Sequence, residues 1–101
     1  MYSVIMTRPA QADRLQVMNW YEAILSKLAI EFHEEVSQKV ENIVAKFPKI
    51  ARIVYKNARK LPINKFPYNL IYVVDDEKKE VKVLAIVHDK RNPSVWQNRV
   101  V

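Results

Sequence analysis

The chain has 101 residues, half of them hydrophobic, and a net charge of +6, which describes one folded domain with a single modest core. It has no cysteine, which excludes disulfides, thiol catalysis and cysteine–zinc sites and suits a reducing compartment such as the cytoplasm. It has no glycine either, which excludes a phosphate-cradling loop, a dinucleotide fingerprint and a G-x-S-x-G elbow, since each needs glycine where the backbone bends sharply or touches its ligand.

No apolar run approaches the ~20 residues of a membrane span. Met1–Ala10 lacks the basic start and long apolar stretch of a secretory signal. Tyr2–Met6 is apolar and partly β-branched and reads as a short strand. Pro9 suits a first helical turn, where its missing N–H costs nothing. Leu15, Met18, Tyr21 or Glu22, and Leu25 then mark a helical period, with Ala10 and Val17 on a similar face and Trp20 expected in the core. The first helix is expected over Pro9–Ala23.

A second apolar stripe runs through Leu28, Phe32, Val36, Val40, Ile43 and Phe47, with Ser26 as its expected N-cap and Pro48 as its stop. The opposite face is charged, including Glu34 and Glu35. His33-Glu34 begins an H-E-x-x-H zinc motif, but Ser37 stands where the second histidine must be. No cluster has metal-ligand spacing, and no cofactor is expected. The short link around Ile24–Lys27 makes the two helices antiparallel neighbours.

After Pro48 the texture becomes β-like. Ala51–Tyr55 is a strand or the lead into one. Arg59–Lys65 alternates loosely, and Pro62 there argues for a sheet edge. Tyr68–Val74 and Val81–His88 are strong strands around an Asp75–Lys79 turn. Val81, Val83, Ala85 and Val87 alternate with Lys82, Leu84, Ile86 and His88. The expected class is α+β over residues 1–101: an N-terminal strand, a helical hairpin and a three-stranded antiparallel meander, in the order β-α-α-β-β-β. With glycine absent, positions of positive φ are expected at Asn57, Asn64, Asn69, Asp75 or Asp76.

Charge divides the chain. Residues 1–45 carry a net of −2, and residues 46–101 a net of +8. Lys46–Lys65 holds seven bases and no acid, either a docking patch for a polyanion or acidic protein, or a solvated face.

Three stretches go beyond composition. They are Trp20-Tyr21-Glu22 at the first helix end, Arg59-Lys60 followed by Lys65-Phe66-Pro67-Tyr68, and His88-x-x-Arg91-x-Pro93-x-x-Trp96. Their order and spacing over about residues 9–99 resemble the RelE/ParE superfamily of toxins. The resemblance implies a toxin neutralised by a cognate antitoxin, in a toxin–antitoxin hetero-oligomer with no membrane partner. It leaves two mechanisms open: ParE-like poisoning of DNA gyrase by contact, or RelE-like cleavage of mRNA on the ribosome. A basic nucleic-acid-binding module with no toxicity is the remaining alternative; its affinity would fall steeply with salt.

Metal-free RNA cleavage needs a base for the 2′-hydroxyl, an acid for the leaving oxygen and cations for the phosphorane. For that chemistry the candidates are His88, Arg91, Lys60 and Arg59, with His88 either the proton carrier or a structural histidine donating to the backbone. Arg91 matches an arginine of the RelE-like nucleases, and either supplies charge or pairs with Asp89 or a helix-end carboxylate. Trp96 stands near a tyrosine of those enzymes, and either stacks on a base or covers the core's open end. Asn69 follows Tyr68 where nuclease members tend to carry arginine. Both departures favour the ParE-like class, or a toxin that has lost catalysis. For target or nucleic-acid binding the candidates are Lys56, Arg59, Lys60, Lys65, Arg91, Trp96 and Arg99.

Overall fold

Thr7 starts the helical layer. Its hydroxyl accepts the Ala10 N–H at 3.4 Å and donates to the Val83 carbonyl, so one side chain caps a helix and ties it to the sheet. The computed structural model describes residues 1–101. Its elements are β1 (Ser3–Met6), α1 (Arg8–Ile24), α2 (Ser26–Lys39), β2 (Arg52–Tyr55), β3 (Ala58–Pro62), β4 (Tyr68–Asp75), β5 (Glu80–His88) and a short α3 (Ser94–Gln97). The sheet order is β1-β5-β4-β3-β2. β1 lies parallel to β5, and β2 to β5 form an antiparallel meander. The expected α+β architecture is present, with β2 as one strand more than the three of the expected meander.

The hairpin covers one sheet face. Phe32, Val36, Val44, Leu70, Tyr72, Val81 and Val83 are buried together there. Truncating a fully buried phenylalanine such as Phe32 costs about 3–5 kcal/mol. The other face is covered by the C-terminal tail, where Trp96 and Val100 pack on Ala58, Ile71, Ala85 and Val87.

The strict alternation expected along β5 is interrupted. Ile71 pairs with Ala85 but Tyr72 pairs with Val83, so Leu84 is an extra residue. A bulge of this kind reverses the inside–outside phase. Val81 and Val83 therefore face the helices while Ala85 and Val87 face the tail. Pro62 does not mark a sheet edge as such, because β3 lies between β2 and β4. It sits where β3 outruns β2, whose pairing ends at Lys60, so no ladder bond is lost there.

Five helical expectations are corrected. Ser26 is not the N-cap: Leu25 holds that position in extended geometry as the one-residue link, and the Ser26 hydroxyl donates to Glu22 at 2.9 Å. The α geometry of α2 ends at Lys39 and widens into a π turn over Val40–Val44. That widening buries Val44 rather than Ile43 and leaves Phe47 exposed. On α1 the buried residues are Ala10 and Val17, whereas Leu15, and Leu25 just beyond the helix, are exposed. Trp20 is 64% exposed instead of lying in the core.

Positive φ falls on Lys56 (49°), Lys65 (73°) and Lys79 (51°), not on Asn or Asp. Each costs about 1 kcal/mol or more. Asp75 serves its turn through its carboxylate, which accepts the N–H groups of Glu77 and Lys78 at 3.1 Å each.

Candidate functional site

Phe66-Pro67-Tyr68 joins the two layers. Phe66 and Tyr68 meet Phe32 edge-on at centroid distances of 5.2 and 5.5 Å, and Phe66 meets Tyr21 at 5.1 Å. Burial raises the pKa of Tyr21 and of Tyr68, and the positive charge of Arg91 works against the rise at Tyr68. Tyr68 is paired across the ladder with His88, and the two rings stand edge-on at 5.1 Å. The aromatic cluster thus fixes the end of β5.

Beyond His88 the chain turns tightly. The Asp89 N–H donates to the Pro67 carbonyl at 2.8 Å, and the Arg91 N–H donates to the His88 carbonyl at 3.0 Å. Asn92 accepts the Ser94 N–H at 3.0 Å, and Pro93 precedes the single turn of α3. That turn carries Trp96 back onto the sheet. The spacing of His88, Arg91, Pro93 and Trp96 is therefore strand end, turn, helix start and core plug.

This end of the sheet borders a cavity of about 520 Å³ lined by Arg52, Lys60, Asn69, His88, Arg91 and Trp96 among others. Three cations converge on it. Asp89 does not neutralise Arg91: its carboxylate accepts from the Asn69 amide at 2.6 Å, and Arg91 takes part in none of the ion pairs. Asn69 is itself buried. His88 Nδ1 accepts the Lys90 N–H at 3.1 Å, which places the neutral ring's proton on Nε2. The ring then has no free lone pair for a hydroxyl proton.

Lys60, His88, Arg91 and Trp96 thus border one cavity, while Lys56, Arg59, Lys65 and Arg99 lie outside its lining. Arg59 donates to the carbonyls of Ala51 (2.7 Å) and Lys49 (3.0 Å), holding the segment after the π turn. Arg99 is bound to Asp13 at 2.7 Å and to the Leu84 carbonyl at 3.0 Å. Lys65 lies 3.6 Å from Glu35 on α2. Lys56 sits over the Tyr55 ring at the far turn of β2. Trp96 is 5% exposed and meets Tyr55 edge-on at 6.0 Å, so its ring faces are not open to a stacked base.

Arg52, which no sequence motif marks, also lines the cavity. The pairing of β2 with β3 brings it there by setting Arg52 opposite Lys60.

A family model described as the ParE toxin of the type II toxin–antitoxin system parDE matches residues 4–93. The chain belongs to the ParE toxin family. Among solved structures, the toxin fold of the chromosomal ParDE system from P. aeruginosa is similar at 21% identity and a TM-score of 0.74, covering 87% of this chain and 96% of that one. A RelBE toxin–antitoxin complex from Mycobacterium tuberculosis is similar at 18% identity and a TM-score of 0.61, covering 86% of this chain and 96% of that one. The intact E. coli RelBE complex is similar at 18% identity and a TM-score of 0.60, covering 90% of this chain and 100% of that one. No curated protein matches in sequence. No helix of this ParE family member is long and apolar enough to cross a membrane.

Proposed function

We propose that this ParE family toxin arrests growth by holding a protein target, DNA gyrase, in the cytoplasm, and that a cognate antitoxin neutralises it. The observation that carries this reading is His88. Its Nδ1 lone pair is engaged by the Lys90 N–H, and the cavity's one carboxylate, Asp89, accepts from the Asn69 amide, so both bases that could take a 2′-hydroxyl proton are already hydrogen-bonded. Two features support it further. Trp96 is buried where RelE-like nucleases place a tyrosine, and Asn69 is locked to Asp89 where they tend to carry arginine.

The antitoxin reading is supported by the surface around β2. Phe47, Ile50 and Ile53 are exposed there, interleaved with Lys46, Lys49, Arg52 and Lys56. An acidic antitoxin segment with apolar side chains suits that surface and the outer face of the hairpin.

One observation favours a second reading, ribosome-dependent RNA cleavage. Arg52, Lys60 and Arg91 converge on one cavity, as phosphate stabilisation requires. Induction of the chain in bacteria separates the two. Gyrase poisoning gives a DNA-damage response and filaments with intact mRNA. Cleavage gives prompt translation arrest and codon-phased mRNA cuts that vanish in Arg91→Ala.

A further inference from the structure

Trp20 is the one tryptophan the core does not use. Its sister Trp96 is buried, whereas Trp20 stands 64% exposed on α1. It forms one wall of a second cleft of about 360 Å³ between α1 and the C-terminal tail. Val17 and Ile86 make an apolar floor, and Tyr68, His88 and Arg91 close the far side. His88 and Arg91 also border the cationic cavity, so they form a ridge between the two clefts.

Charge within this second cleft is largely settled. Asp13 and Arg99 neutralise each other at 2.7 Å, and Arg91 is left without an acidic partner. Beyond Trp20 the apolar surface continues through Ile24 and Leu25, both exposed. A nucleic acid has no use for those two side chains and would need a run of free cations along its backbone. Tryptophan, tyrosine and arginine around an apolar floor are instead the residue types that dominate protein–protein contacts.

Resting on the protein-contact reading above, we infer that the Trp20 cleft is where the toxin grips its growth target. The occupant is a protein segment that seats one aromatic or long aliphatic side chain against Trp20 and places a nearby carboxylate on Arg91. The antitoxin uses the basic β2 surface and the exposed side of α2 around Ile30 instead.

The test uses the full chain, its Trp20→Ala and Trp20→Phe variants, purified gyrase holoenzyme, and the acidic protein encoded beside the toxin. Trp20 is largely exposed, so thermal unfolding should show both variants folded. Trp20→Ala should bind gyrase at least about 30-fold more weakly and lose toxicity, while still forming the antitoxin complex. Trp20→Phe should recover much of the loss. Unchanged gyrase binding and toxicity in Trp20→Ala overturn the inference. So does a variant that keeps gyrase but loses the antitoxin, or one that loses only salt-sensitive affinity for single-stranded RNA. A toxic wild type that does not bind gyrase sinks the gyrase reading instead. The cleft is then judged on growth alone, where full toxicity of Trp20→Ala overturns it and loss of toxicity supports it.

Discussion

Arg52 on β2 stands directly opposite Lys60 on β3. Like charges placed so across a ladder destabilise it, by up to about 1 kcal/mol. No acid intervenes between Glu41 and Asp75 in the sequence, and the one carboxylate near this end of the sheet, Asp89, is held by Asn69. The fold carries this repulsion at the same place where its cationic cavity opens. Binding surfaces commonly retain such locally unfavourable pairs.

Replacing Arg52 with threonine should relieve that repulsion and suit the strand. We expect urea unfolding to show a stability unchanged or raised by up to about 1 kcal/mol. The same variant should bind the acidic antitoxin more weakly, with a shallower dependence on salt. A clear loss of stability would show that Arg52 is structural.

Tyr72→Phe tests the joint between helix and sheet. The buried Tyr72 hydroxyl donates to the Pro48 carbonyl, which ties down the segment after the π turn. Removing it leaves that carbonyl unpaired and should cost about 1–3 kcal/mol in chemical unfolding. A change within a few tenths of a kcal/mol would mean that water takes the bond over.

Alkali should unfold the protein through its tyrosines. Burial raises the pKa of Tyr21, Tyr68 and Tyr72 above the ordinary value. Above about pH 10 the unfolded chain therefore holds fewer protons than the folded one, so stability must fall as pH rises. The stabilisation from these groups is fully present below about pH 10 and is lost as pH climbs through their folded-state values. A phenolate titration followed beside circular dichroism should show late-ionising tyrosines released together with unfolding. Early, independent ionisation of Tyr72 would contradict its burial.

His88 offers a spectroscopic check. Its Nδ1 accepts the Lys90 N–H, so the neutral ring should carry its proton on Nε2. Long-range proton–nitrogen spectra distinguish the tautomers. A proton on Nδ1 would free the Nε2 lone pair and restore the proton acceptor that RNA cleavage requires.

Much of this molecule is legible in its sequence, because strong periodicity survives tertiary context. Phe32 and Val36 on α2, and Leu70 on β4, lie where their patterns place them. The failures come from single-residue offsets. The π turn buries Val44 in place of Ile43, and the Leu84 bulge reverses the phase of β5; neither leaves a mark on apolar spacing. Trp20 was misplaced because bulk hydrophobicity does not say which side of a helix is covered. Arg91 and Trp96 border one cavity, but charge alone does not separate Lys60, which lines it, from Arg59, which binds the backbone. Strand register makes that distinction, because neighbours along a strand point to opposite faces.

The central claim is that this toxin works by contact and not by cutting RNA. Purified chain added to gyrase and plasmid should trap broken DNA, read as linear plasmid once the enzyme is digested away, while mRNA in a translating ribosome mixture stays whole. Undisturbed gyrase, together with mRNA cut in register with its codons, would contradict it.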